Sequence, residues 1–240
     1  MLRDILTVMW KERKMLFRDR SSRTRLMLVL LSPIIFAIYV ASDAGPRWVE
    51  GFPSLLIASL APVILVGVTI PDSFAGERER RTLATLLASR LPDRAILFGK
   101  LAVAVTFAWG VTVVILLLSL VAANVAHWDG EILLYTLTVA LADVALSFLM
   151  ATLTASVGVL ISLRSVTVQE ATQTLMALFL LSPILLGMLL FVFSDQVGAF
   201  FSPLDATQIL LIVVAVLTVL NVGLLAAAMA RFQRSWLILD

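Results

Sequence analysis

The sequence predicts an all-α integral membrane protein with six transmembrane helices, and three observations support this prediction. Of the 240 residues, 61% are hydrophobic and only 14% are charged, whereas soluble domains usually contain about 25% charged residues. Long apolar runs recur along the chain, and the basic residues are almost confined to alternate connections between them. A protein this apolar has too little polar surface to cover its core in water, so the bilayer is the expected solvent.

Six apolar runs approach or exceed the length of about 20 residues that a helix needs to cross the hydrocarbon layer. They are too long for the strands of a membrane barrel, and they lack the strict alternation of lipid-facing and lumen-facing residues that such strands show. We therefore predict one membrane domain, residues 1–240, without a nucleotide-binding domain. Its predicted spans are residues 26–42, 54–71, 95–123, 132–163, 171–193 and 207–230.

The basic residues predict the orientation of the spans. Of the 18 Lys and Arg residues, 17 lie on one predicted side of the membrane. They precede the first span, lie in or beside the connections after the second and fourth spans, or follow the sixth span. The exception is Arg47. Cytoplasmic connections carry the excess of Lys and Arg. We therefore expect both termini to be cytoplasmic in a protein of the cell (plasma or inner) membrane. Trp48 and Trp128 fall in the outer connections, where they are expected to anchor the chain at the interface.

The first 25 residues are predicted to form a cytoplasmic interfacial segment. An amphipathic helix is expected over residues 1–20, because Leu2, Ile5, Leu6, Met9 and Leu16 share one helical face and basic residues flank it. Such a helix lies in the membrane interface, held by its apolar face and by anionic lipids. An ordinary basic tail with some helical character is the alternative. A cleaved signal peptide is not expected, since the apolar run starts only after many basic residues.

The connection between the second and third spans predicts a short amphipathic helix at residues 77–91. Leucines recur at helical spacing, charged residues crowd the other side, and Thr82 could cap the helix. Such a helix can fit a groove on a cytoplasmic partner, or it can simply lie on the lipid. The leucines are Leu83, Leu86, Leu87 and Leu91.

Two polar residues inside predicted spans are candidates for a substrate path. Asp143 in the fourth span is an acidic residue, and a charge at the centre of a span costs about 2.5–3.5 kcal/mol on insertion scales. It could contact a substrate or a cation, or it could be a neutral or hydrogen-bonded group near the outer interface. Asn221 in the sixth span is also explained by helix–helix hydrogen bonding.

No pattern typical of an enzyme is present. There is no Gly-x-Ser-x-Gly, no His-Glu-x-x-His and no pair of membrane carboxylates, and the single His, His127, lies in an outer connection. The chain has no Cys, so a thiolate metal site is excluded. We expect no catalytic site, no metal and no cofactor in this chain, and the weak net charge of +2 does not suggest a nucleic acid as a partner.

The segment after the second span resembles the permease subunits of ABC-2 type transporters, the six-span exporter class. That family has a glutamate-rich segment, a Gly-Thr-Leu-Glu-x-Leu-Leu-like helix, a turn with Pro, and a Gly-Lys pair at the start of its third span. The basic segment with Lys11 and Glu12 before a first span that contains Pro33 is similar too. The matching residues of the motif are Glu77, Arg78, Glu79, Thr82, Leu83, Leu86, Leu87, Pro92, Gly99 and Lys100.

The resemblance implies a transporter subunit that works with partners. Two permease chains would form a homodimer or heterodimer, and two ATP-binding-cassette subunits, which bind ATP and Mg²⁺, would dock beneath them. Residues 77–91 would then be the coupling helix, braced by the amino-terminal helix. The alternatives are a secondary transporter or channel, which usually has internal repeats and ion sites at broken helices, and a regulatory subunit of an ABC complex that carries no substrate.

Overall fold

The computed structural model describes residues 1–18, 20–80, 82, 91–193 and 202–232, with the backbone alone for residues 16–18, 20–26, 52, 189 and 190. Within these ranges the chain forms eight helices and no strand. The helices are α1 (Leu2–Arg18), α2 (Arg20–Ala44), α3 (Arg47–Glu50), α4 (Phe52–Glu79), α5 (Asp93–Ala126), α6 (Leu137–Ser162), α7 (Val168–Val192) and α8 (Ala206–Arg231).

Six of these helices, α2 and α4 to α8, are long and apolar enough to cross a membrane. The prediction of an all-helical protein with six candidate spans is therefore confirmed. The side on which the termini lie remains a prediction from the basic residues, since the fold has the same helices in either orientation.

Helices α4 and α6 form the centre of the bundle and share its most extensive helix–helix contact. Small residues allow them to approach closely: a Cβ atom added to Gly158 on α6 would lie 2.9 Å from Ile70 Cγ2 on α4. Close packing of this kind holds helices together in lipid, where no hydrophobic force acts between them. Helices α7 and α8, by contrast, leave most of their apolar surface exposed.

The bundle has two ends with different connections. We call the basic end the one where α1, the last turn of α4, the first turns of α5, the α6–α7 connection and the end of α8 lie together. Its packing includes an edge-to-face contact between Phe74 and Phe232, whose ring centres are 5.9 Å apart. The distal end is the opposite one, formed by α3 and the connection between α5 and α6.

The helix of the second span extends well beyond the predicted end at residue 71. Pro71 lies inside α4, which continues to Glu79. Proline removes one helical hydrogen bond, but the helix continues because Phe74 and Ala75 are buried and Glu77 is ion-paired. Residues 77–79, predicted as the start of a separate coupling helix, are therefore the last turn of α4.

The fourth span begins later than predicted, at Leu137 instead of residue 132. The Asn124 side chain accepts a hydrogen bond from the Leu133 N–H at 2.7 Å and donates one to the Leu133 carbonyl at 3.0 Å. These bonds satisfy the backbone of Leu133 outside a helix. Thr136 then caps α6 by accepting a hydrogen bond from the Val139 N–H at 3.4 Å.

The amino-terminal segment forms helix α1, and the position of its predicted apolar face in the membrane interface stays a prediction. Val8 and Glu12 are buried, whereas Leu2 and Leu6 of the predicted apolar face are exposed. The side chain of Leu16 lies outside the described residues. Residues 20–25, predicted as part of the interfacial segment, belong to the backbone of α2.

Candidate functional site

A cluster of buried charges lies at the basic end and is centred on Lys100 in the second turn of α5. Its ammonium group is 3.1 Å from Glu12 Oε1 and 3.0 Å from Glu77 Oε1, and it donates a hydrogen bond to the Ser73 carbonyl at 2.7 Å. The exposed fractions of the three charged side chains are 0%, 4% and 3%. Lys100 therefore joins α1, α4 and α5 through three oxygen atoms that water does not reach.

Lys11 and Ser73 complete this charge cluster, which we define as Lys11, Glu12, Ser73, Glu77 and Lys100. Lys11 Nζ lies 3.1 Å from Glu77 Oε1 and 3.8 Å from Glu12 Oε1. The Ser73 hydroxyl donates a hydrogen bond to Glu12 Oε2 at 3.3 Å. Two ammonium groups balance two carboxylates, so the cluster is neutral as a unit. Burial of the charges is tolerated because they are paired.

Gly99 explains how α1 reaches the cluster. A Cβ atom at this position would lie 2.7 Å from Val8 Cβ and Cγ1 and 3.2 Å from the Ile5 carbonyl oxygen. Only the absence of a side chain allows α1 to pack this closely on α5, which brings Glu12 within reach of Lys100. The two residues of the Gly-Lys pair therefore act together: Gly99 leaves space for α1 to pack against α5, and Lys100 forms an ion pair with Glu12 of α1.

The other charged residues at the end of α4 contact the α6–α7 connection. The Arg78 guanidinium donates a hydrogen bond to the Ser165 carbonyl at 3.5 Å, and Glu79 Oε2 accepts one from the Val168 N–H at 3.2 Å. Glu77, Arg78 and Glu79 were predicted to contact an ATPase. In the structure Glu77 is buried and ion-paired within the chain, and the contact of the three residues with an ATPase stays a prediction.

The predicted coupling segment is described only at its two borders. The backbone N–H and the hydroxyl of Thr82 donate to the Glu77 carbonyl at 2.9 Å and 3.3 Å, so Thr82 caps the end of α4; the helix that it was predicted to begin lies outside the described residues. Leu91 packs against the hydrophobic core around α4 and α5. The predicted docking residues Leu83, Leu86 and Leu87 lie outside the described residues.

Asp143 is the buried acidic residue of the distal half. Its exposed fraction is 2%, and neither carboxyl oxygen has a hydrogen-bond donor among the described residues. The Ser54 hydroxyl in the first turn of α4 lies beside the carboxyl group, but it donates its hydrogen to the Gly51 carbonyl at 3.0 Å. Asp143 follows the start of α6 by six residues, a rise of about 9 Å.

A neutral hydrogen-bond chain lies close to Asp143. The Trp48 indole donates to the Tyr135 hydroxyl at 2.7 Å, and Tyr135 donates to the Leu116 carbonyl at 3.2 Å. Burial raises the pKa of Tyr135 well above its ordinary range, so the hydroxyl stays protonated. The prediction of Trp48 as an interfacial anchor is wrong, because its ring is fully buried; Trp128 is exposed as an anchor would be.

Asn221 joins two helices. Its amide donates to the Leu149 carbonyl on α6 at 3.1 Å and to the Leu217 carbonyl of its own helix at 2.8 Å. Leu149 is six residues beyond Asp143, or about 9 Å along α6. Asp143 lies on α6, and Asn221 contacts the same helix at Leu149, so the two predicted path residues lie at different depths along α6. Helix packing satisfies the amide nitrogen of Asn221, as expected for an amide between membrane helices, whereas its Oδ1 has no hydrogen-bond partner among the described residues.

No metal-binding group is found where the structure describes the chain: these ranges contain no set of three His, Asp or Glu side chains able to share an ion. The ring of His127 packs against Gly45, a turn residue with φ of +55°. Sequence reasoning had drawn attention to Asp143, Lys11, Glu12, Glu77, Gly99 and Lys100, but it missed the partners Ser73 and Ser54. Serines in apolar helices are common, so no local signal distinguished these two.

The fold and the two buried polar sites define a helical membrane protein with six candidate spans. Comparison with known proteins adds no closer assignment, since no protein-family model and no curated protein matches the chain.

Proposed function

We propose that the chain is the membrane-spanning permease subunit of an ATP-binding-cassette exporter of the ABC-2 type. It would couple through the segment at residues 77–91 to two separate ATPase subunits, which bind ATP and Mg²⁺, and it would pair with a second permease chain. The observation that carries the proposal is the charge cluster. It joins α1 to the ends of both helices that flank the proposed coupling segment.

The energetics of the charge cluster favour a mechanical role. Replacing a buried ion pair by well-packed apolar side chains is often neutral or stabilising, so stability alone does not explain the three buried charges of Glu12, Glu77 and Lys100. Their geometry, however, ties the position of α1 to the ends of α4 and α5. A force applied to the segment between α4 and α5 would then move these three helices together.

Helix α4 provides a path from that segment into the bundle. It is continuous from Phe52 to Glu79, and it contacts α5, α6 and α7 along its length. A displacement of its basic end is therefore transmitted to the centre of the protein. The basic end is the cytoplasmic one by the distribution of Lys and Arg, which is the side on which an ATPase has access to ATP.

The test is co-purification from native membranes, using the full-length chain with an affinity tag. The wild type is expected to retain an ATP-binding-cassette subunit, identified by mass spectrometry and by ATP hydrolysis in the purified complex. The triple change Leu83→Glu, Leu86→Glu and Leu87→Glu is expected to lower recovery of that subunit at least about tenfold, equivalent to 1.4 kcal/mol, because charges would enter an apolar docking groove.

A matched control introduces glutamates in place of apolar residues at the distal end. Ile132→Glu with Leu134→Glu alters two exposed apolar residues of the distal connection, and it is expected to leave recovery of the ATPase unchanged. Undiminished recovery with the triple variant would refute the docking assignment. Transport by the purified chain in vesicles without any ATPase would instead identify a secondary transporter or channel.

A further inference from the structure

Asp143 is a buried carboxyl group without a charged partner among the described residues, and the hydroxyl group that lies beside it is that of Ser54. Its two oxygens are unpartnered among the described residues, and no ion pair in that part of the chain includes it. An ionised carboxylate in such a place is strongly disfavoured, because the side chain is only 2% exposed and no cation of the described residues pairs with it. The group is stable there only if something neutralises it.

The hydroxyl groups around Asp143 are already engaged as donors. Ser54 donates to the Gly51 carbonyl, Ser147 to the Val144 carbonyl at 3.0 Å, and Tyr135 to the Leu116 carbonyl. An ionised carboxylate would compete for these hydrogens. While Ser54 donates to the Gly51 carbonyl, its oxygen can accept a hydrogen bond from a protonated Asp143 carboxyl group.

Among the described residues, no charged side chain interacts with Asp143. The titratable group that interacts with Asp143 is Tyr135, which stays neutral. From α5, the Trp109 indole donates to the Val144 carbonyl at 3.2 Å, and α8 contributes the amide of Asn221. All three groups are uncharged.

We propose that Asp143 is a proton-binding site of the distal half. The carboxyl group carries a proton while the first turn of α4 and the Trp48–Tyr135 contact close over it. It releases the proton when these elements separate from α6 and water enters. The ligand is the hydrogen ion, and the site would couple opening of the distal end to proton release. This proposal does not depend on an ATPase partner, so the two proposals can fail separately.

Infrared spectroscopy of the full-length protein in lipid nanodiscs tests the proposal. A neutral carboxylic acid has a carbonyl stretch distinct from the carboxylate bands, and the band shifts when the acid proton is exchanged for deuterium. The wild type is expected to show such a band near neutral pH, and Asp143→Asn is expected to remove it. Asp143→Glu is expected to move the band without removing it, and it decides the result if the Asn variant does not fold.

Thermal stability provides a second readout. A native state that binds a proton which the unfolded chain has lost becomes less stable as pH rises. The wild type is therefore expected to lose more thermal stability than Asp143→Asn as the pH rises from about 4, the ordinary pKa of an aspartate, to neutral pH, and both should be similarly stable at lower pH. Absence of a band assignable to Asp143, or equal pH dependence of the two proteins, would overturn the proposal. Loss of the band on adding Na⁺ or K⁺, with choline as the control, would overturn it in favour of an alkali-metal ion.

Discussion

The basic and distal ends of the bundle both bury acidic side chains, but they accommodate them differently. At the basic end, Glu12 and Glu77 share the Lys100 ammonium group at 3.1 Å and 3.0 Å. At the distal end, Asp143 is as deeply buried and has no cation in the described part of the chain. The paired carboxylates can stay ionised in an apolar protein, whereas the unpaired one is expected to stay neutral.

The charge cluster is suited to a fixed contact between helices, whereas the Asp143 site can change its protonation state. Four mutually compensating charges can be separated only at a high cost, so the charge cluster is suited to holding α1, α4 and α5 together. A lone carboxyl group changes its charge by gaining or losing one proton. The same chemical group, a carboxyl, therefore supports a fixed connection at the basic end and, in the proposal above, binds an exchangeable proton at the distal end.

The largest effect is expected from removing the cation of the charge cluster. Lys100→Met leaves Glu12 and Glu77 buried without their shared partner, and it is expected to destabilise the protein by about 3–5 kcal/mol. Thermal denaturation in nanodiscs measures this effect. Lys11→Met is the matched control: because the Lys11 side chain is 40% exposed, its loss should cost about 1 kcal/mol or less.

A rescue experiment strengthens the comparison between the ends. Adding Glu12→Gln and Glu77→Gln to Lys100→Met makes the cluster neutral, as the distal site is proposed to be, and should recover a large part of the lost stability. If Lys100→Met unfolds at the wild-type temperature, the paired charges do not stabilise the basic end.

A smaller loss of stability is expected from filling the space at Gly99 against which α1 packs. Gly99→Ala places a methyl group 2.7 Å from Val8 Cβ, so α1 must move, at a cost of about 1–3 kcal/mol. Limited proteolysis of α1, together with thermal denaturation, measures the displacement. Gly110→Ala is the control, because a Cβ there meets nothing within 4 Å and should stabilise the helix by up to about 1 kcal/mol. Equal proteolysis of the two variants would contradict the close approach at Gly99.

The smallest effect is expected from the neutral contact at the distal end. A double-mutant cycle with Trp48→Phe and Tyr135→Phe isolates their hydrogen bond from the change in ring size, with an expected coupling of about 0.5–1.5 kcal/mol. Thermal denaturation of the four proteins measures it. Trp128→Phe, which alters an exposed ring, should change stability little. A coupling near zero would show that the 2.7 Å contact does not stabilise the closed distal end.

Features of the fold that depend on one segment of the sequence were predicted correctly, whereas features that depend on contacts between segments were not. The six candidate spans were predicted because their apolar length is a property of each segment alone. The end of α4 was predicted too early, because Pro71 is a local breaking signal whereas the burial of Phe74 and the pairing of Glu77 are tertiary. The late start of α6 likewise depends on Asn124, which lies on the preceding helix.

The candidate sites divide in the same way. Asp143 was recognisable in the sequence because a charge inside an apolar run is costly wherever it lies. Glu77, Gly99 and Lys100 were recognisable only as parts of a resembling motif, without any indication that they meet. The fully buried Trp48 was misread because a tryptophan beside a span usually marks the membrane interface.

By itself, the sequence determined that this chain is helical, that the bilayer is its expected solvent, and where the six candidate spans lie, since these depend on composition along each segment. Tertiary structure alone decided that Lys100 meets Glu12 and Glu77, that α1 packs closely against Gly99, and that Asp143 has no cation partner in the described part of the chain. The physical reason is that charge compensation depends on the distance between groups on different helices, and helix packing sets that distance.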